Sequence, residues 1–251
     1  MLPGTHKESV ASRRPLFLIA IILCCLSFLK GNSVQAQGYD RFYNSFNLYP
    51  KFTDVQTDYD TAIDTLIVVN ERFSYFGYIN LRGVSNSNKF DFNNSEQSFR
   101  WAPFTEYPVD LVYQHVLRKG PGNDNNHLGL RWRISQSSAL QELFSALNFN
   151  YSVQLFPAKI MDSSNRGGWQ ISHAFSMSFP YISDRLYLGG FMDQNFNENL
   201  GGTRRNTIVT ETQLGFRLFK QLYAITEFRI NQYRTGREDN IAIGIEWKLD
   251  L

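Results

Sequence analysis

From residue 70 to the C-terminus the chain alternates apolar and polar side chains over long runs. Ile241, Ile243, Ile245, Trp247, Leu249 and Leu251 share one parity, while Ala242, Gly244, Glu246, Lys248 and Asp250 share the other. Leu147, Phe149, Tyr151, Val153 and Leu155 oppose Asn148, Asn150, Ser152 and Gln154. Trp169, Ile171, Phe175, Met177 and Phe179 oppose Gln170, Ser172, Ala174, Ser176 and Ser178; Leu128, Leu130, Trp132 and Ile134 oppose Gly129, Arg131 and Arg133. A period of two is the signature of a strand whose two faces meet different surroundings. Further strands are predicted over 70–83, 96–103, 108–118, 185–195, 207–218 and 221–233. A short helical turn is predicted around 137–146. The fold class is all-β.

Alternation does not say which face is wet. A soluble sandwich or lipocalin-like barrel hides its apolar face, whereas a membrane barrel turns it to lipid around a polar lumen. Strand length favours the second: runs on the order of 11 residues suit a tilted membrane-crossing strand, against about 5–6 in typical sandwiches. Connection lengths alternate as well. With the last strand descending to the periplasm, 84–95, 119–126, 157–168, 197–206 and 233–239 are long outer loops, while 103–108, 180–184 and 219–221 are short inner turns. The segment 137–146 is a long connection where a short one belongs. Trp101, Trp132, Trp169, Tyr181, Tyr233 and Trp247 fall near strand ends, where an interfacial aromatic belt would lie. The last strand is apolar at every second position, like the C-terminal signal read by the barrel assembly machinery, although it ends on Leu251 where phenylalanine is usual. These features predict a transmembrane antiparallel up-and-down β-barrel of 10–12 strands over residues 70–251. Strand-like runs at 42–49 and 63–69 give residues 37–69 two readings, a first hairpin or a periplasmic arm.

Residues 1–36 read as an export signal. Arg13 and Arg14 precede the apolar run 16–29, and Val34 and Ala36 stand at −3 and −1 of a cut before Gln37. Pro15 weakens a twin-arginine reading, and Leu23 before Cys24 excludes a lipoprotein one. An uncleaved signal acting as an anchor is the alternative. Cys24 and Cys25 are the chain's 2 cysteines, so the remainder has no disulfide and no cysteine-ligated metal. Of the 251 residues 19% are charged, with a net charge of +2, which argues against a nucleic-acid partner. The expected partners are outer-membrane lipid and the assembly machinery, and the expected location is the outer membrane of a Gram-negative cell.

With polar positions turned inward, Arg131, Arg133, Asp193, Glu211, Arg217, Glu227, Arg229, Glu246 and Lys248 face the lumen. Both signs occur on neighbouring strands, so they are expected to pair across the barrel. Such a lining suits a small polar solute that hydrogen-bonds and stacks on Tyr187 or Tyr223. It equally suits charges that brace a narrow barrel. The candidate substrate-binding residues are Tyr187, Asp193, Glu211, Arg217, Glu227, Arg229, Arg131 and Arg133. No catalytic, metal or cofactor motif stands out, and the chain reads as a non-enzyme. His127 is expected at a solvated loop edge. His173 points outward, but Ser172 and Ser176 face the other way, which leaves a lipid-facing hydrolase without a serine. The inward face of the strand carrying His115 is not fixed by its pattern.

Several segments resemble the nucleoside-specific channel-forming (Tsx-like) family of outer membranes. These are Phe73-Ser74-Tyr75-Phe76-Gly77-Tyr78-Ile79, Gly168-Trp169-Gln170-Ile171, Tyr187-Leu188-Gly189-Gly190-Phe191-Met192-Asp193, Thr210-Glu211-Thr212-Gln213 and Gly244-Ile245-Glu246-Trp247-Lys248. The resemblance implies a twelve-stranded monomeric barrel with a narrow channel that passes nucleosides by diffusion.

Overall fold

The computed structural model describes residues 41–52, 60–83, 90–120, 123–162, 166–234 and 237–250; the expected signal segment and Leu251 lie outside them. Twelve antiparallel strands close on themselves, each paired with its neighbours in sequence and β1 with β12. They are β1 (Arg41–Phe52), β2 (Asp60–Val68), β3 (Phe73–Gly83), β4 (Phe90–Trp101), β5 (Val109–Arg118), β6 (Asn125–Trp132), β7 (Phe149–Asp162), β8 (Trp169–Phe179), β9 (Ser183–Leu200), β10 (Thr203–Phe219), β11 (Leu222–Asn231) and β12 (Asp239–Asp250). The segment with two readings supplies β1 and β2, and β1 is the stave that completes the circle, pairing Phe46 with Trp247 and Leu48 with Ile245. Closure leaves no free edge, the condition for a sheet in hydrocarbon.

The short connections 69–72, 180–182 and 220–221 lie at one end, and at the other most connections are longer, the two-residue turn 201–202 excepted. We call these the turn end and the loop end. The long connection 133–148 sits at the turn end, where it forms a 3₁₀ turn (Ile134–Gln136) and helix α1 (Gln141–Ala146). Phe144 of α1 stacks on Phe149 and Tyr151 of β7, with centroids 5.4 and 6.4 Å apart. That contact holds the segment against the outside of the barrel.

The predicted faces hold. Trp169 is 36% exposed, Ile243 68% and Trp247 48%, all on the outer surface with Phe99, Leu128, Leu130 and Trp132. Among the described residues the buried set is dominated by polar groups such as Ser45, Gln114, Asn125, Ser172 and Glu227, with few apolar ones beside them. This is the inverse of a water-soluble core.

Three predicted outer loops are partly strand. β4 begins at Phe90, β7 runs on to Asp162 and β9 to Leu200, where 84–95, 157–168 and 197–206 are predicted as loops. The alternation breaks there because bulges shift the register and the ladder then continues. On β7, Leu155 pairs with Leu130 and Ala158 with Leu128, so Phe156 and Pro157 together oppose Gly129. On β1, Leu48 pairs with Ile245 and Lys51 with Ile243, so Tyr49 and Pro50 together oppose Gly244. Proline donates no hydrogen bond, and a bulge is one of the few places in a ladder that needs none. Glycine is required opposite. A Cβ on Gly129 would strike the Leu155 carbonyl and the Phe156 ring, and one on Gly244 the Leu48 carbonyl and the Tyr49 ring. A third bulge, on β9, places Asn197 at φ +55°, a left-handed backbone that asparagine tolerates.

Candidate functional site

The interior divides into two halves. The turn half holds a cavity of about 700 Å³. It spans from Tyr43, Arg133 and Lys248 near the turn end to Asn80, Glu96 and Asp193 near mid-height, and the exposed Gln136, Asn150 and Ser176 stand at its mouth. The loop half is filled. Tyr49, Asp60, Gln114, Asn125, His127, Phe156, Glu198 and Asn240, drawn from seven of the strands, are each at most 1% exposed. Lumen-facing groups in an open pore would be wet; these are packed against one another.

Bulges build that layer. The β1 and β7 bulges aim Tyr49 and Phe156 inward, and β1 and β7 are six staves apart in the circle of twelve. The Tyr49 hydroxyl donates to Glu227 and lies 2.7 Å from Gln213 Oε1. Phe156 packs at a tilt on His127, centroids 5.2 Å apart. Past the β7 bulge, Lys159 faces inward; past Asn197, Glu198 does the same. They meet at 2.7 Å, with side chains 5% and 2% exposed. Thr207 Oγ1 donates to Glu198 at 3.2 Å, and the Tyr233 hydroxyl donates to it too.

The cavity wall on β9 to β12, β1 and β2 is acidic and aromatic. Ser45 and Asn47 donate to Asp64 at 3.0 and 3.1 Å. Arg229 is gripped by Glu227, lies 3.5 Å from both Glu211 and Asp60, and covers the Tyr49 ring. The Tyr187 hydroxyl donates to Glu246, and Lys248 Nζ lies 3.2 Å from the Tyr187 ring centroid and 3.3 Å from Glu246. The facing wall, on β4 to β6, is basic: Arg100, Arg131 and Arg133 surround Asp110.

Of the predicted residues, Tyr187, Asp193, Glu211, Glu227, Arg131 and Arg133 line the cavity. Arg229 lies behind it, clamped by carboxylates. Arg217 does not reach it: its guanidinium pairs with the exposed Asp184 at 2.7 Å, because it occupies the last inward position of β10 at the turn-end rim. Pairing between strands holds for Arg229, which meets Glu211 and Asp60, and for Arg131 and Arg133, which meet Asp110; Lys248 pairs with Glu246 on its own strand. His127 is not a solvated loop residue, since it faces inward as part of the layer at 1% exposure. Tyr233 is not a belt residue either, as its hydroxyl turns in to Glu198. His173 points outward as predicted, and its Nδ1 meets the Tyr151 hydroxyl at 2.8 Å rather than a serine. His115 also faces out, with Nδ1 2.8 Å from Asn126 Oδ1.

The sequence reading missed Asp64, Glu96, Arg100, Tyr49, Phe156, Lys159 and Glu198 as interior groups. One signal was present: Leu48-Tyr49-Pro50 and Leu155-Phe156-Pro157 are the same device written twice.

No family model matches the chain, and no curated protein matches it. Among solved structures, a NanC porin superposes with a TM-score of 0.49 at 9% identity, covering 82% of this chain and 100% of that one. A KdgM porin gives 0.46 at 11%, covering 82% and 98%. Outer membrane phospholipase A from Escherichia coli gives 0.47 at 10%, covering 87% and 95%. All three are similar in their barrel, and at these identities the likeness extends to fold alone.

Proposed function

We propose that this chain is an outer-membrane channel for small polar solutes, exported through a cleaved signal and inserted with its apolar belt in lipid. The observation that carries the reading is the 700 Å³ cavity, polar and charged in its lining, inside a barrel whose outer surface is apolar. Its volume lies in the range of small-molecule sites. Nucleosides are the leading solute class. Phe76, Tyr78, Phe191 and Tyr187 offer ring faces for a base, and Asp64, Glu211, Glu227 and Glu246 offer acceptors for sugar hydroxyls. The protein reconstituted in planar bilayers is expected to conduct ions in steps that millimolar nucleosides interrupt. Steps untouched by any nucleoside remove that solute class and leave the channel.

A second reading, a barrel that transmits nothing, is favoured by the packed layer in the loop half. The double variant Tyr49→Ala/Phe156→Ala separates the two. On the channel reading it enlarges a conductance the unaltered protein already has; on the other, current is present only in the variant.

A further inference from the structure

The basic wall is the part of the vestibule whose hydrogen-bonding capacity is least used. In the turn half of β4 to β7, three guanidinium groups face the lumen beside Asp110, and Glu96, a second carboxylate, lines the cavity at mid-height on β4. Asp110 Oδ2 accepts from Arg131 Nη1 at 3.2 Å, and Oδ1 lies 3.3 Å from Arg133 Nε. Arg133 donates through its two Nη groups to Gln136 Oε1 at 2.7 Å and to the Tyr107 carbonyl at 3.3 Å. The Nε groups of Arg100, Arg131 and Arg133 are all buried without a hydrogen-bond partner. Among the described residues Arg100 has no ion-pair partner; its guanidinium lies 5.2 Å from the Phe76 ring centroid.

The register brings the two together. Arg100 pairs with Val112, Val112 with Gly129, and Arg131 stands one pleat from Gly129 toward the turn end. Their strands flank β5, so their backbones are about 10 Å apart, and two inward-curving arginines span such a gap. Planar guanidinium forks that line a cavity match an oxyanion, which accepts two parallel bonds from each. The acidic wall opposite repels an anion and directs it to this side.

We propose that Arg100 and Arg131, with Arg133 braced behind them, form a binding subsite for the oxyanion of a small solute, a phosphate or a carboxylate, in the turn half of the barrel. The proposal rests on the vestibule being open to solutes and adds a charge to the solute's identity. A neutral nucleoside leaves this wall empty; a molecule with an anionic head and a hydroxylated or aminated tail uses both walls.

Two measurements on the whole protein in detergent test it, neither needing conductance. In calorimetric titration with inorganic phosphate and, separately, acetate at fixed ionic strength, at least one probe is expected to bind. The Arg100→Gln/Arg131→Gln double variant should then lose roughly tenfold or more in affinity. Arg204→Gln, which removes a charge from the far end, should stay within about twofold. Second, phosphate should protect Arg100 and Arg131 of the unaltered protein from phenylglyoxal, read by peptide mass spectrometry, while chloride of equal ionic strength should not. This arm holds even if the double variant fails to fold. Neither probe binding, equal binding by the double variant, or modification indifferent to phosphate would each overturn the subsite. A silent bilayer recording beside clear phosphate binding would remove the channel and leave the subsite.

Discussion

Lys159 and Glu198 illustrate how a charged residue is placed inside a membrane barrel by backbone geometry. Each lies beyond a bulge that reverses the parity of its strand, and their contact at 2.7 Å is almost free of solvent. Removing one partner of such a pair leaves an uncompensated charge and costs about 3–5 kcal/mol, while replacing both with apolar groups of similar size is close to neutral. Glu198→Gln is therefore expected to lower the urea midpoint of the vesicle-inserted barrel markedly. Lys159→Met/Glu198→Leu should restore most of it. If the single and double variants fall equally, the pair is not what holds the layer. Neither residue was legible as interior from the sequence, because each sits in a stretch whose alternation is broken and which therefore reads as loop.

At the level of elements the recurring device is leucine, aromatic, proline, with glycine on the neighbouring strand. Proline at 50 and 157 reads in isolation as a strand breaker, and the apparent end of the strand at Pro157 followed from that. In the folded ladder the proline occupies the extra position of a bulge, the aromatic is swung inward, and the facing glycine makes room for it. Gly129→Val and Gly244→Val are each expected to destabilise the barrel by about 1–3 kcal/mol through overpacking. The reading is loss of the heat-modifiable folded band in gels at lower temperature than the unaltered protein. Gly201→Val, at a turn where an added Cβ meets nothing within 4 Å, tests the other case. Its φ of +64° penalises valine without any steric neighbour, so a smaller loss is expected there. If Gly129→Val and Gly244→Val prove as mild as Gly201→Val, close packing at the bulges is not the reason for glycine.

Taken whole, the molecule is an inside-out barrel whose stability depends on the solvent outside it. Ile243 lies near the middle of β12 and is 68% exposed on the outer surface. An arginine there would sit near the bilayer midplane, at a cost of about 2–4 kcal/mol. Ile243→Arg should accordingly shift the unfolding midpoint in lipid, and Lys248→Arg, on the lumen face of the same strand, should not. Equal effects would mean that the outer face is not in hydrocarbon. The closed circle also fixes which charges meet. Arg100, Arg131 and Arg133 are interspersed along the chain with acidic residues, yet they share a wall because β4 and β6 are two staves apart.

The alternation of side chains by itself determined most of the strands, their two faces and the all-β class, since side-chain direction along a strand is a local property with a period of two; strand and connection lengths, not the period, pointed the polar face inward. Even the two-strand ambiguity at the N-terminus was a matter of closure rather than of local pattern. Tertiary structure alone decided that β1 meets β12, that the bulges at Pro157 and Asn197 reverse the parity of their strands, that Tyr49 and Phe156 fill one half from opposite sides, and that Arg100, Arg131 and Arg133 gather on one wall. Those outcomes depend on register and shear around the whole circle, which couple residues far apart in the chain and leave no periodic trace in it.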